Sequence, residues 1–507
     1  MNKLYFHFMR GEYMVFSPLP ARGGHGATET ILKIMDQIFN KKEYIYLGQY
    51  KTPLIYNWLL QNWADNKTGK RYGLPKLDGR LLLLDGHLFI CKKDWEKIEE
   101  WTRKTVEEKN NKSFESIFKL TKEKTDNMLS IAKKLQENKG LNIGNFGMFF
   151  KTMNEMEYPW FFMLPMNDEL EKFIKKKLSS SNLPGDYLQL FLNPYRPTLL
   201  QQQKREIIEI IKELTRLKIL DKINKLTTQK TFKFLKNHQP EAYKKIKAHI
   251  SKYQWFGMMH MWGEPFSEEI FLEQVKNISA PKTQEKKVNL PKELKWLQKH
   301  TQKLSYWRNY VAEICGVASY MALNKLEEAS KIIGLSYSDT MWLAPQEFLD
   351  SLQKKKTLPK KTIEKRRESF GLIMNNGKII ISTGENLKQY INYALEKIVK
   401  NKKVKGTVAN KGKAKGVARI VLSPNEIGKV RKGDIMIASE TTPDFVPAAY
   451  RAAALVTDIG GITSHAAIIS REIGLPCIVG TKNATRIFKD GDLIEVNANK
   501  GTIVKLK

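Results

Sequence analysis

Apolar residues recur every three or four positions along much of the chain before residue 400, and this spacing predicts amphipathic helices. The clearest stretches run from Ser113 to Gln136, from Leu199 to Leu220 and from Trp296 to Ile333. A further helix start is predicted at Ala344-Pro345-Gln346-Glu347, because proline suits the first turn of a helix. Lys276 to Lys287, which is rich in polar and charged residues, is predicted to be an exposed loop.

Two places in this part of the chain depart from the helical spacing. The apolar run from Arg80 to Ile90 surrounds Asp85-Gly86, a dipeptide typical of a two-residue hairpin turn. The turn-like Asn375-Asn376-Gly377 precedes another apolar run, Lys378 to Ser382. Both patterns predict strands.

From Val404 onward, short apolar runs alternate with glycine-bearing turns, which is typical of strands. Ser423-Pro424-Asn425-Glu426 reads as a capping box at a helix start, and Thr442-Pro443-Asp444 begins another helical segment. Strands are predicted at Gly416 to Leu422, Asp434 to Ala438, Ala453 to Thr457, Pro476 to Val479, Leu493 to Val496 and Thr502 to Leu506.

These patterns divide the 507 residues into three segments. Residues 1–110 are predicted to be a mixed α/β region, residues 111–400 a mainly helical region, and residues 401–507 a compact domain of strands and helices. The predicted fold class is therefore α+β, with a largely helical N-terminal and middle part followed by a strand-containing C-terminal domain.

Lysine and arginine number 86 and aspartate and glutamate 53, which gives a net charge of +33. That charge suits phosphorylated ligands or an acidic partner, but runs such as Lys354-Lys355-Lys356 lack interleaved aromatic residues, so nucleic-acid binding is not expected. No stretch approaches 18 uncharged apolar residues, so no membrane span is expected. The three cysteines lie far apart and form no disulfide or zinc pattern, which predicts a cytoplasmic protein without a metal site of its own.

The segment with the clearest chemistry runs from Thr457 to Pro476. It predicts a strand, a tight turn at Gly460-Gly461, and a helix that Thr463 or Ser464 caps and that Gly474-Leu475-Pro476 ends. His465 then falls in the first helical turn.

The start of a helix is an unusual place for a histidine. Unpaired backbone N–H groups and the positive end of the helix dipole favour the neutral imidazole over the imidazolium, and they attract a phosphoryl group once it is attached. His465 is therefore a candidate nucleophile that forms a phosphohistidine intermediate. The alternative is that His465 is only a polar residue in the first turn, and spacing alone does not decide between the two.

The stretch from Thr441 to Gly480 resembles the swivelling phosphohistidine domain of the phosphoenolpyruvate-utilising enzymes, which include pyruvate phosphate dikinase, phosphoenolpyruvate synthase and the rifampin phosphotransferases. The resemblance lies in Thr442-Pro443-Asp444, Val456 to Gly461, Thr463 to Ile468, and Arg471 to Pro476. It implies a β/β/α domain that swings between two sites, with His465 as the phosphorylated residue. The other motif residues are Gly460, Gly461, Thr463 and Ser464, which support the phosphate loop and the helix cap, and Arg471 and Glu472.

The middle region more weakly resembles the helical part of the rifampin phosphotransferase-like members. This likeness includes Trp255-Phe256-Gly257 and Trp262-Gly263-Glu264-Pro265. It implies that the region holds a small-molecule acceptor, with Trp255, His260 and Trp262 as candidate binding residues. The alternative is that this aromatic and methionine-rich cluster is ordinary core.

Complete members of that family carry an ATP-grasp domain and, in the dikinases, a barrel that binds pyruvate or phosphoenolpyruvate. Neither is recognisable here, so no cofactor is expected within this chain, and ATP and Mg²⁺ are expected to act through a separate ATP-grasp protein. The function that follows is a phosphotransferase component. The alternative is a non-catalytic regulatory or binding module derived from such an enzyme.

Overall fold

The computed structural model describes residues 13–15, 44–49, 52–55, 65–181, 187, 190–191, 193–258, 261–277, 290–375, 378–383, 387, 391, 404–462 and 464–506. Most of the predicted loop from Lys276 to Lys287 lies outside these ranges, as do Asn376 and Gly377 of the second predicted turn.

The described part of the chain before residue 400 is largely helical, as the apolar spacing predicts. The helices are α1 (Asn66–Arg71), α2 (Lys92–Glu107), α3 (Asn111–Glu137), α4 (Ile143–Ser180), α5 (Leu199–Arg216), α6 (Leu220–Lys225), α7 (Thr228–His238), α8 (Pro240–Lys252), α9 (Glu268–Asn277), α10 (Lys292–Ile332), α11 (Tyr337–Thr340), α12 (Pro345–Lys354) and α13 (Lys360–Glu368). A 3₁₀ turn, Gln254–Gly257, follows α8. None of the helices in the described ranges has the length and apolar character needed to cross a membrane.

Strands form at the predicted hairpin, at the predicted strand from Lys378 to Ser382, and throughout the C-terminal segment. They are β1 (Tyr13–Val15), β2 (Tyr44–Gln49), β3 (Leu81–Leu84), β4 (His87–Cys91), β5 (Phe370–Asn375), β6 (Lys378–Thr383), β7 (Val404–Lys405), β8 (Thr407–Asn410), β9 (Lys413–Val421), β10 (Ile435–Ala438), β11 (Ala454–Thr457), β12 (Cys477–Val479), β13 (Leu493–Asn497) and β14 (Thr502–Lys505). The helices among them are α14 (Val446–Arg451), α15 (His465–Ile473) and α16 (Ala484–Ile487), with 3₁₀ turns at Pro424–Lys429 and Pro443–Phe445. Helices and strands in this arrangement confirm the α+β class.

The described strands form two mixed sheets. One has the order β1-β6-β5-β3-β4-β2 and the other the order β7-β14-β13-β9-β10-β11-β12-β8. In the second sheet β9, β10, β11 and β12 are parallel neighbours, and the outer pairs are antiparallel. Every residue of β10, β11 and β12 is buried, which is why these strands read as short continuous apolar runs in the sequence.

The chain divides into two compact units. One consists of Met1–Lys172, Ala322–Lys402 and Thr485–Ile487, and the other of Phe173–Met321, Lys403–Ala484 and Phe488–Lys507. Within the second unit, one buried apolar cluster contains residues of helices α5 to α9 together with residues of β10, β11, β12, α14 and α15. The C-terminal domain and the middle helices of this unit therefore share a core. The division into segments 1–110, 111–400 and 401–507 stays a prediction.

Several local predictions can be compared directly with the structure. Asp85 and Gly86 form the predicted hairpin turn between β3 and β4, both with positive φ (49° and 82°). The capping box at Ser423 is wrong: the segment is a 3₁₀ turn in which Ser423 makes no side-chain cap bond. Instead, the Glu426 carboxylate accepts the backbone N–H of Leu422 at 2.7 Å, so the side-chain bond to this turn comes from the acidic residue and not from Ser423.

Candidate functional site

The candidate site lies at one edge of the C-terminal sheet. Strands β10 and β11 are parallel, so the loops that follow them leave the sheet at the same edge. The first loop carries Thr441 and the second ends at His465, the first residue of α15. The alternation of strand and helix therefore brings together two residues that are 24 positions apart in the sequence.

Helix α15 begins and ends as the sequence predicts. Ser464 is the N-cap, and its hydroxyl accepts the backbone N–H of Ala467 at 3.4 Å. Gly474 adopts the left-handed conformation (φ 75°) that ends the helix. Of the two predicted capping residues, Ser464 is the one that caps, and Thr463 lies outside the described residues.

The loop before α15 is held in shape by a glycine and an arginine. Gly460 has φ 106°, and a Cβ atom there would lie 2.7 Å from the Ser464 Cβ, so a side chain would strain the backbone and push against the cap. The carbonyl of Gly461 accepts the N–H of Ser464 at 3.0 Å. Arg471 donates from Nη1 to the carbonyl of Ile462 at 2.9 Å, which anchors the loop from the far end of the helix.

The His465 ring is fixed on one side and unpartnered on the other. Its Nδ1 lies 3.0 Å from the Thr441 hydroxyl oxygen. Its Nε2 is buried and has no hydrogen-bond partner among the described residues, although the residue as a whole is only half-buried. Burial, assisted by the charge of Arg308, lowers the pKa of His465 to about 3, so the ring is neutral at pH 7.

The charge of Arg308 acts on this ring, and the loop that carries Thr441 contributes two carboxyl groups, Glu440 and Asp444. Arg308 of α10 is 7% exposed, and its charge acts on both His465 and Glu440. Burial raises the pKa of Glu440 to about 7, and Arg308 opposes that shift. Burial likewise raises the pKa of Asp444 to about 7; one oxygen of Asp444 accepts the Thr442 hydroxyl and the other has no hydrogen-bond partner among the described residues. The site therefore contains one buried guanidinium and two carboxyl groups that can exchange protons near neutral pH.

Glu472 lies near the C-terminal end of α15 and contacts the middle helices rather than the His465 ring. Its Oε1 accepts the side-chain amide N–H of Gln201, and its backbone carbonyl accepts Lys204 Nζ, both at 2.9 Å. Glu472 thus joins the C-terminal domain to α5.

The predicted acceptor residues lie in or beside the shared core. Trp255 is 6% exposed and belongs to the 3₁₀ turn that contacts Pro443–Phe445. Met258 and Met261 are fully buried, and Trp262 is half-buried. His260 lies outside the described residues. A role for Trp255, His260 and Trp262 in binding stays a prediction.

Arg308, Glu440 and Thr441 were not singled out from the sequence as site residues. Arg308 is one of 86 basic residues, and it sits in a long helix without a local motif, so only the fold brings it to His465. Thr441 and Glu440 directly precede the Thr442-Pro443-Asp444 motif, so their position beside that motif was the only available signal.

One acidic cluster in the described residues has ligand types that could suit a metal ion. Asp78, Cys91 and Asp94 lie with their ligand atoms within 4.8 Å of one another. The fully buried Asp94 already accepts the backbone N–H groups of Asp78 and Gly79, at 2.7 and 2.9 Å, and lies 3.3 Å from Lys97 Nζ. These contacts explain the burial of Asp94 without an ion.

Known proteins similar to this chain match it in the C-terminal domain. Residues 430–501 match the family model of the PEP-utilising enzyme mobile domain. A probable phosphoenolpyruvate synthase of Archaeoglobus fulgidus is 52% identical over 100 residues, which are 20% of this chain and 13% of that protein. The phosphoenolpyruvate synthase of Pyrococcus furiosus is 49% identical over 102 residues, 20% of this chain and 12% of the relative.

The similarity covers only a small part of these relatives, between 12% and 13% of their length. An NMR solution structure of Enzyme I aligns with 62% of this chain and 83% of its own at 14% identity, but its TM-score of 0.16 is too low to indicate a shared fold. The family model and the synthase relatives agree with the motif around His465. The C-terminal domain of this chain is therefore similar to the mobile domain of PEP-utilising enzymes over residues 430–501.

Proposed function

We propose that this protein is a phosphotransfer component in which His465 accepts a phosphoryl group and the C-terminal domain carries it to an acceptor bound by the middle helices. The donor would be a separate ATP-grasp protein that uses ATP and Mg²⁺. The observation that carries the proposal is the state of the ring: neutral, held at Nδ1 by Thr441, and unpartnered at Nε2.

The proton positions suit such a transfer. If Nδ1–H donates to the Thr441 oxygen, Nε2 keeps its lone pair and is the nucleophile. In the first step the N–P bond at Nε2 forms while the bond from phosphorus to its leaving group breaks. In the second step the acceptor attacks phosphorus, and the electrons of the N–P bond return to Nε2. The proton on Nδ1 stays in place throughout, so Thr441 is a positioning residue.

The charges around the ring also support the proposal. Because Arg308 is positively charged, it disfavours protonation of His465, and this preserves the neutral, nucleophilic form of the ring. The same guanidinium would attract the negative charge of a phosphoryl group, and so would the N-terminal N–H groups of α15. The two carboxyls with raised pKa values, Glu440 and Asp444, offer groups that can take a proton from an acceptor.

The proposal can be tested without knowing the partner. Potassium phosphoramidate transfers a phosphoryl group to histidine chemically, releasing ammonia. We expect incubation of the full chain to phosphorylate His465 as well as exposed histidines such as His238, and peptide mass spectrometry to locate an acid-labile, base-stable phosphoryl group at His465. Stable modification at other histidines with none at His465 would contradict the proposal and favour a non-catalytic module.

Replacing Thr441 by valine is expected to slow phosphorylation of His465 by about tenfold, because the ring loses the hydrogen bond that fixes its tautomer and orientation. The matched control is Thr441→Ser, which keeps the hydroxyl and is expected to retain most of the wild-type rate. Initial rates of phosphohistidine formation at pH 7 measure both. Equal rates for the valine and serine variants would show that Thr441 does not position the ring.

A further inference from the structure

His465 and Glu472 occupy one face of α15. They are seven residues apart, which is close to two helical turns. At the Glu472 end, Gln201 Nε2 donates to Glu472 Oε1 at 2.9 Å, and Lys204 Nζ donates to the Glu472 backbone carbonyl at 2.9 Å. Lys204 Nζ also lies 3.7 Å from Glu472 Oε2. Two side chains of α5 therefore hold the C-terminal end of the helix that begins with His465.

Helix α5 presents these two side chains from a fixed N-terminus. The buried carboxylate of Glu313, on α10, accepts the backbone N–H groups of Leu199 and Leu200, each at 2.9 Å. Gln201 also accepts the backbone N–H of Thr198 through its side-chain oxygen, at 3.2 Å, so its amide group is held at both ends. The contacts from α5 to Glu472 are thus preorganised rather than adaptable.

The Lys204 contact places a buried ammonium group at the C-terminal end of α15. Lys204 is 8% exposed, and its ammonium caps a carbonyl at the negative end of α15. Burial lowers the pKa of Lys204, and the charge of Glu472 opposes that shift. When the contact opens, both charged groups regain water, which offsets much of the lost attraction. The Lys204–Glu472 pair therefore favours the docked position of α15 by a small net free energy.

While α5 holds the Glu472 end of α15, the Nε2 atom of His465 at the other end of the helix is buried. His465 Nε2 exposes almost no surface, so a phosphoryl donor cannot approach it until α15, together with the rest of the C-terminal domain, moves away from the middle helices. The Glu472 contacts and the burial of Nε2 are features of one docked arrangement.

We propose that Gln201, Lys204 and Glu472 form a latch that sets how often the His465 ring becomes accessible. The inference deepens the proposed function, because the ring it controls is the proposed phosphoryl carrier. Opening the latch exposes Nε2 to a donor, and closing it returns the ring to Arg308 of α10, while Thr441 moves with the ring and stays bonded to Nδ1. The latch acts on access, while the hydrogen bond between Nδ1 and Thr441 acts on the orientation of the ring.

Accessibility can be measured with a probe that does not depend on phosphotransfer. Diethyl pyrocarbonate acylates neutral imidazole, and peptide mass spectrometry follows the modification of His465 in the full chain. Lys204→Met keeps most of the apolar stem and removes the charge, and we expect it to raise the modification rate about tenfold, the effect of losing one charged hydrogen bond. Glu472→Gln, which keeps Oε1 as the acceptor for Gln201, is expected to raise the rate less.

Three comparisons separate a latch from general loosening of the fold. Lys212→Met is the matched control, because Lys212 pairs with Glu209 on the exposed surface of the same helix, and it is expected to leave the rate unchanged. Lys204→Arg keeps the positive charge that Lys204→Met removes, and it is expected to show modification as slow as in the wild type. Adding Glu472→Gln to Lys204→Met is expected to add little, because both changes open the same contact.

Wild-type modification rates in both Lys204→Met and Glu472→Gln would overturn the latch. So would a rate increase in Lys212→Met as large as that in Lys204→Met. If either Lys204 variant fails to fold by circular dichroism, Glu472→Gln, which leaves Lys204 unchanged, still decides the question. Failure of the proposed function looks different: diethyl pyrocarbonate would still report the latch, while phosphoramidate would leave His465 unphosphorylated.

Discussion

The substitution His465→Ala is expected to abolish the acid-labile, base-stable label that the wild-type chain acquires from an ATP-grasp partner supplied with γ- or β-labelled ATP. Alanine preserves helix α15 because it is the best helix former, so only the imidazole is lost. No other side chain in the described site combines a neutral nitrogen nucleophile with a fixed second nitrogen. We therefore expect loss of the label down to background.

A matched control is His238→Ala, which removes an exposed histidine at the end of α7, far from α15 in sequence. This variant is expected to keep the full label at His465. Both variants are compared at the same protein concentration, with thermal unfolding to confirm that each is folded. A label that persists in His465→Ala would refute the assignment of His465 as the phosphoryl carrier.

The substitution Gly257→Ala is expected to lower the free energy of unfolding by about 3 kcal/mol or more, which would be the largest stability effect among the changes considered. A Cβ atom on Gly257 would lie 1.8 Å from the backbone carbonyl oxygen of Glu264. Gly263 adjoins the same place: its own Cβ would lie 2.1 Å from the Gly257 carbonyl oxygen, and its φ is 129°. Because both obstacles are backbone atoms, neither can be relieved by rotating a side chain.

Gly428→Ala is the control, since a Cβ there meets nothing within 4 Å and its φ needs no glycine. Guanidinium unfolding followed by tryptophan fluorescence measures both variants, because Trp255 and Trp262 flank the affected turn. We expect the Gly428→Ala midpoint to stay close to that of the wild type. An unchanged midpoint in Gly257→Ala would mean that the two glycine segments are not in close contact in solution.

Local patterns in the sequence predicted most of the secondary structure. The apolar spacing predicted α3 and α5 closely, and glycine-bounded apolar runs predicted β10, β11 and β12, because each element buries a continuous run or stripe of its own residues. The stretch from Trp296 to Ile333 lies, apart from its last residue, in the single helix α10. The short β7 and β8 were missed, since edge strands of two to four residues carry little periodicity.

The residues around His465 were only partly predictable. The glycine turn, the Ser464 cap and the end at Gly474 are determined by neighbouring residues, so a local motif reveals them. Arg308 acts on His465 although the two are 465 − 308 = 157 positions apart in the sequence. Lys204 contacts Glu472 although those two are 268 positions apart. Such contacts depend on how helices pack, and one amphipathic helix does not specify its neighbour.

The three cysteines of the chain offer a way to test the proposed motion of the C-terminal domain. Cys91, Cys315 and Cys477 are all buried, at 2% exposure or less, and none forms a disulfide. Burial also raises the pKa of the Cys477 thiol to about 12. Thiol reagents should therefore ignore the native side chains, and cysteines engineered at the exposed Lys236 and Lys500 would be the ones that take a fluorophore pair. Energy transfer between such dyes would record each excursion of the domain in an otherwise natural polypeptide.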